Sequence, residues 1–145
     1  MTKQHSKLPI STLENLNTPG AGYDVIRYLC MPKVFGSDAE LILYFIGKNL
    51  ARSFDIQTIN DVFHIAERVG WGRLEFVKEN KRGLTFQLMS DAVYHRLKAP
   101  FVVDFRLESG FISEAVAQIR QRECECIEKV RSNIHLVEFQ VTYTS

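Results

Sequence analysis

Apolar residues recur at two periods along this chain, a helical one up to about residue 70 and a mostly alternating one beyond it. Residues 1–20 carry little periodicity and end in the breaker run Thr18-Pro19-Gly20, so residues 1–21 read as a mobile arm and 22–145 as the single domain. Val25, Ile26, Leu29 and Cys30 fall at helical spacing, and Met31-Pro32 predicts the end of that helix, because a residue before proline is pushed out of the α region. Ser37 stands three residues before Glu40 in the form of a capping box and opens a helix running to about Ser53. Over Leu41-Ile42-Leu43-Tyr44-Phe45-Ile46 this helix is apolar on all sides, which predicts a central, buried position. Gly47 within it costs roughly 1 kcal/mol of helix propensity relative to Ala, a loss that predicts close approach of another element. A third helix from about Thr58 sets Ile59, Val62, Phe63, Ala66 and Val69 against Asn60, Asp61, His64, Glu67 and Arg68. Gly70 suits its C′ position, with Trp71 lying back on Ala66 in a Schellman-type end.

After Gly72 the period becomes two. Leu74 and Phe76 alternate with Arg73 and Glu75, Leu84, Phe86 and Leu88 with Thr85, Gln87 and Met89, and Asn80-Lys81-Arg82-Gly83 joins them as a β-hairpin. Residues 91–98 suggest a short helix ended by Pro100. Phe101, Val103, Phe105 and Leu107 read as a third strand, Ser109-Gly110 as the start of a fourth helix, and residues 124–131 and 134–143 as a final strand pair. The order αααββ(α)βαββ is α+β: one antiparallel sheet of about five strands with helices packed on one face.

Composition narrows the function. In 145 residues, 18 Lys+Arg against 17 Asp+Glu leave a formal charge of +1. A protein that grips nucleic acid by neutralising phosphates carries a clear basic excess, so no nucleic-acid partner is expected. A domain of this length buries roughly 68–70% of its unfolded surface, enough for a core without disulfides or metals. Three cysteines, Cys30, Cys124 and Cys126, make no disulfide framework, residues 1–17 lack a signal-peptide core, and the longest apolar run is too short to span a bilayer. These features point to the cytoplasm.

Chemical motifs are scarce. Cys124-x-Cys126 has no matching ligand pair for tetrahedral zinc, His64 lies on a polar stripe, and His5, His95 and His135 have no second ligand at useful spacing, so no metal is expected. Leu107-Glu108-Ser109-Gly110-Phe111 lacks both flanking glycines of a nucleophile elbow, and Ser109 reads as an N-cap. Gly110 at the first helical position would leave backbone N–H groups open to an anion or carboxylate. Glu108 and Glu114 stand too far round a helix to share a proton, and Glu114 reads as dipole compensation. No phosphate-cradling glycine motif occurs. Lys48 and Arg52 make a two-cation face near Tyr44, read as side chains snorkelling from a half-buried helix.

Three segments carry a resemblance: Leu43-Tyr44-Phe45-Ile46-Gly47-Lys48-Asn49-Leu50-Ala51-Arg52, Gly70-Trp71-Gly72-Arg73-Leu74, and Leu107-Glu108-Ser109-Gly110-Phe111-Ile112-Ser113-Glu114. In order and spacing they resemble the YslB-like proteins of low-GC Gram-positive bacteria, a cytoplasmic family of unknown function, over about residues 22–143. That family in turn is similar to the superfamily of vinyl-reductase-type ligand-binding domains, TRAPP vesicle-tethering subunits and haem nitric-oxide-binding domains. The resemblance implies helices against an antiparallel sheet, often in a dimer, around an apolar cavity for a small ligand or acyl chain. The chain departs from it where the vinyl-reductase-type relatives often carry a cysteine pair, having Lys129 or Val130 and then Val137 there, and it has no Y-x-S-x-R clamp for haem. Cys30 is the candidate for an acyl-cysteine of the tethering type, against the commoner role of a buried structural thiol.

Two classes of function follow: a binding module for a small apolar ligand or acyl chain, and a homodimeric structural or interaction module with a filled core. An enzyme ranks third, and no catalytic residue or cofactor is assigned. In the first reading Tyr44, Phe45, Trp71 and Phe111 converge as apolar walls, with Gly47, Lys48, Arg52, Glu108 and Gly110 completing the pocket and its polar mouth.

Overall fold

The computed structural model describes residues 7–16 and 20–145 of the chain. Its first helical stretch does not end at Met31-Pro32. A wide π segment (Ile26–Cys30) carries α1 (Ala21–Val25) into α2 (Met31–Phe35), with the Met31 N–H donating to the Ile26 carbonyl five residues back. A widened turn makes room for a proline ring that would otherwise crowd the carbonyl one turn earlier, so Met31 stays helical at φ −60°, ψ −44°. Gly36 ends the run at φ +58°, where a side chain would be strained.

The capping box expected at Ser37 and Glu40 does not form. A 3-10 turn (Gly36–Asp38) runs straight into α3 (Ala39–Arg52), so Ser37 lies inside a helical turn rather than in the extended conformation from which a hydroxyl caps. The box forms at Thr58 instead. Its extended backbone lets Thr58 Oγ1 accept from the Asp61 N–H while the Asp61 carboxylate accepts from the Thr58 N–H, opening α4 (Ile59–Arg68). Gly70 at φ +86° closes α4, its N–H donating to the Glu67 carbonyl and that of Trp71 to the Ala66 carbonyl, the Schellman end that the spacing predicts.

Strands β1 (Arg73–Asn80), β2 (Gly83–Met89), β3 (Cys124–Arg131) and β4 (Leu136–Tyr143) make one antiparallel sheet in the order β1-β2-β4-β3. Asn80 Oδ1 accepts from the Arg82 and Gly83 N–H groups and sets the hairpin turn. Across the register Leu74 faces Leu88 and Leu88 faces Val137, with Phe76, Phe86 and Phe139 in the next row. The opposite face is polar, where Thr85 donates to Gln140 and Gln87 to Glu75. One apolar face explains why the helices pack on one side.

The sheet has four strands rather than the expected five. After α5 (Asp91–Lys98), capped by Ser90 and ended before Pro100, residues 101–105 join no strand. The Asp104 carbonyl accepts from Arg27 and Tyr28, and Asp104 Oδ1 accepts from the Arg106 N–H. Side-chain donors and a local turn thus take polar groups that a neighbouring strand would otherwise satisfy. That turn starts α6 (Arg106–Arg120) three residues before Ser109, so Ser109 is not its N-cap, nor is Gly110 its first residue.

Helices α3 and α6 pack backbone to backbone. A Cβ at Gly47 would strike the Leu107 carbonyl oxygen, and one at Gly110 the Tyr44 carbonyl oxygen, which bears out the close approach expected at Gly47. Helix α3 is not buried on all sides: Leu43 and Tyr44 face inward, whereas Leu41, Phe45 and Ile46 are 58%, 52% and 43% exposed. Of the arm expected over 1–21, the described residues include Leu8, bridged to Phe54, and Leu13, buried in the core. His5 lies outside the described residues.

Candidate functional site

Charge lies buried where three helical elements meet. The π segment turns Arg27 and Tyr28 inward, α5 supplies Arg96 and the first turn of α6 supplies Glu108. Arg27 donates to both Glu108 oxygens at 2.8 and 2.6 Å, and its Nη2 also reaches Asp104. Arg96 Nη1 stands 3.5 Å from Glu108 and its Nε 3.6 Å from Asp24. Arg27 and Glu108 are 2% and 1% exposed. Burial works against the Arg27 charge, but the facing Glu108 carboxylate more than offsets it and holds the guanidinium firmly protonated. Burial, reinforced by Glu108, likewise raises the Tyr28 phenol.

Helical spacing misled for this cluster. Val25, Ile26, Leu29 and Cys30, the stripe that the pattern turns inward, are exposed, and Arg27 and Tyr28 are buried. Of the cluster, only Glu108 stands among the residues singled out from the sequence. Arg27 and Arg96 carry no local signal, since their partner lies 81 and 12 residues away.

Arg96 also faces a cleft of about 870 Å³ between α1, the end of α4 and α5. Leu13, Leu50, Trp71, Phe101 and Leu107 give it apolar walls. Its polar groups include Tyr23, Asp24, Arg68 and Arg96. Arg68 donates to the Leu13 and Glu14 carbonyls, holding the 3-10 turn Ile10–Asn15 at the rim. Partial desolvation raises the Tyr23 phenol, although the residue stays 38% exposed, and Tyr23 accepts a hydrogen bond from Arg27, which joins the cleft to the buried cluster.

The other residues singled out from the sequence fall into separate settings. Trp71 and Phe111 meet edge to face, ring centroids 5.2 Å apart, in the core. Gly47 and Gly110 form the α3–α6 contact. Phe45 points outward. Tyr44 donates to Glu125 and accepts from the Cys126 N–H, while Lys48, 8% exposed, pairs with Glu125 at 3.1 Å. Burial, then the hydrogen bond to Glu125, pushes the Tyr44 phenol up to about 12. Lys48 is therefore a buried partner of β3 rather than a snorkelling end, and Arg52 pairs with Glu114 at 3.2 Å rather than leaving Glu114 to the helix dipole. Lys48, Arg52, Glu114 and Glu125 line a second, charged groove of about 1190 Å³, away from Trp71 and Glu108.

Among the described residues no group of three or more His, Cys, Asp or Glu stands together as metal ligands. No described helix is long and apolar enough to cross a membrane. Four antiparallel strands with helices on one face and a cleft at the helical end define a single-domain α+β module of the helix-on-sheet class.

The chain belongs to the family described as protein of unknown function DUF2507, whose model matches residues 20–142. It is 29% identical over 141 residues to the uncharacterized protein YslB of Bacillus subtilis (strain 168), covering 97% of this chain and 95% of that one. It is 22% identical over 107 residues to the uncharacterized protein MJ1642 of Methanocaldococcus jannaschii, covering 73% of this chain and 65% of that one. The crystal structure of a vinyl-4-reductase family protein from Methanocaldococcus jannaschii superposes with a TM-score of 0.66 at 16% identity, covering 94% of this chain and 88% of that one. That likeness establishes the fold.

Proposed function

We propose that this protein is a cytoplasmic, non-enzymatic binding module that takes a small molecule with an apolar body in the cleft between α1, α4 and α5. The observation that carries the reading is that cleft: about 870 Å³, with Trp71, Leu50 and Leu107 as walls and the nearly buried Arg96 among them. Ligand sites are commonly concave, mostly apolar and roughly 300–1,000 Å³, with a few fixed polar groups that orient the ligand. The larger groove beside Lys48 is rimmed by charges of both signs and fits such a ligand less well. The free thiols of Cys124 and Cys126 on one strand face suit a reducing compartment. A thermal-shift panel of fatty acids, isoprenoids and tetrapyrroles tests the reading, with Ala92→Trp as the cleft-filling variant. At least one class should raise the Tm of the wild type and lose that effect in the variant. A panel that leaves the wild-type Tm unmoved counts against a ligand.

The second reading, a homodimer, is favoured by one feature. Val25, Ile26 and Leu29 before α2 and Leu41, Phe45 and Ile46 on α3 are each 39–60% exposed. With Val34 and Phe35 they approach ~800 Å² per copy, the share a partner buries in a standard interface. Lys33 and Glu40, both exposed, border this surface with opposite charges, which a two-fold axis can pair across copies. Light scattering should give a dimer mass for the wild type and a monomer for Phe45→Glu. A monomeric wild type at high concentration would sink this second reading and leave the cleft untouched.

A further inference from the structure

Residues 8–16 run along the rim of the cleft, with Leu13 and Leu16 in its wall. Two clasps hold them. At one end Leu8 is bridged to Phe54, its N–H donating to the Ser53 carbonyl at 2.8 Å and its carbonyl accepting from the Asp55 N–H at 3.4 Å. At the other, Arg68 Nη2 donates to the Leu13 and Glu14 carbonyls at 3.2 Å each, and the Glu14 carboxylate meets His64 at 3.0 Å. Both members of that last pair are about half exposed, a setting in which such a contact adds little.

Between the clasps little fixes the chain. Of residues 8–14 only Leu13 is buried, and the 3-10 turn Ile10–Asn15 has no side-chain cap. The floor of the cleft depends on other contacts. Trp71 packs against Phe111, and Leu50 and Leu107 belong to α3 and α6, which meet closely at Gly47 and Gly110. A segment with few buried apolar contacts and solvent-exposed hydrogen bonds opens at far lower free energy than the whole domain. Lifting residues 8–16 therefore uncovers the cleft and leaves the helix-on-sheet core in place.

We propose that residues 8–16 are a strap over the cleft that swings out at its clasps while the domain stays folded, and so gates the entry and exit of the ligand. The inference rests on the cleft reading above and adds its regulation. Leu13 and Leu16 touch the ligand only when the strap is closed. A seated ligand thus holds the strap shut, and by linkage a loosened strap releases the ligand sooner.

Hydrogen–deuterium exchange of the full chain, read by mass spectrometry, tests this. Without ligand, amides at 8–16 should exchange at least about 100-fold faster than those of α3 and α6, as local opening requires. Arg68→Gln, which removes a charged donor from one clasp, should speed them by a further factor of about ten with α3 and α6 unchanged. Leu8→Pro lacks the N–H for Ser53 and stands outside the cleft wall, and it should act alike from the other end. With a compound of the thermal-shift panel at about ten times its Kd, exchange at 8–16 should slow about tenfold in the wild type. Dissociation of that compound, followed by the fluorescence of Trp71, the one tryptophan of the chain, should quicken in Leu8→Pro by the factor seen in exchange, although no ligand contact is lost. Exchange at 8–16 no faster than in α3 and α6, or unmoved by both variants, overturns the strap and leaves the cleft reading standing. A bound compound that leaves 8–16 unprotected, or dissociates no faster from Leu8→Pro, overturns the gate. If nothing binds, the cleft reading fails and the gate with it.

Discussion

Arg27 and Glu108, 81 residues apart in sequence, share two hydrogen bonds of 2.8 and 2.6 Å in an almost wholly buried setting. The pair fastens the π segment to the first turn of α6. Removing one member of such a pair leaves an uncompensated buried charge, at a cost of about 3–5 kcal/mol, whereas removing both with apolar replacements is often nearly neutral. Glu108→Gln should therefore destabilise by about that amount, and Arg27→Met combined with Glu108→Leu should recover more than half of the loss. Urea unfolding of the single and double variants checks this. A single variant as stable as the wild type would mean that water reaches the pair.

Gly47 and Gly110 set how closely α3 and α6 approach. A methyl at either position meets backbone rather than a flexible side chain, so the helices must separate. Gly47→Ala and Gly110→Ala should each cost roughly 1–3 kcal/mol or more by overpacking. Gly22→Ala, with nothing within 4 Å of the added carbon, should leave stability unchanged or slightly higher. Thermal melts of the three variants separate packing from helix propensity.

Ser37 and Thr58 each stand three residues before an acidic residue, and of the two only Thr58 forms a capping box, with Asp61. Thr58→Ala should lose about 1 kcal/mol, as capping threonines do. Ser37→Ala should fall within about 0.5 kcal/mol of the wild type, the usual range for a surface change. Chemical denaturation of both variants gives the comparison, and equal losses would mean that the Ser37 hydroxyl caps α3 in solution.

Tyr44 makes alkaline pH informative. Its folded pKa of about 12 exceeds the unfolded value of roughly 10, because burial and the bond to the Glu125 carboxylate favour the neutral phenol. The stability this supplies is complete below about pH 10 and is lost as pH rises from there through 12. Between pH 10 and 12 the wild type should thus lose stability more steeply than Tyr44→Phe, which has no proton to release. Unfolding free energies measured across that range decide it, and parallel curves would show that the phenol is freely solvated.

Features that depend on a few neighbouring residues were legible in the sequence: the Asn80–Gly83 hairpin turn, the glycine end of α4 at Gly70 and Trp71, the amphipathic stripe of α4 and the tight site at Gly47. Each rests on backbone conformation or periodicity, which act over one or two turns. Tertiary structure alone decided the rest. Arg27 and Tyr28 turn inward because Glu108 and Asp104 meet them there, from some eighty residues away. Residues 101–105 fail to become a strand because those same side chains take the Asp104 carbonyl. Asp104 also starts α6 early, which draws Ser109 and Gly110 into the helix and Glu108 into the ion pair. Among the residues that wall the cleft, Trp71 stood out in the sequence, whereas Asp24, Arg68 and Arg96 come from three helical segments whose meeting no local pattern encodes. Hydrogen-bonding and charge pairing across the chain set these positions, because a buried polar group must find its partner wherever in the sequence that partner lies.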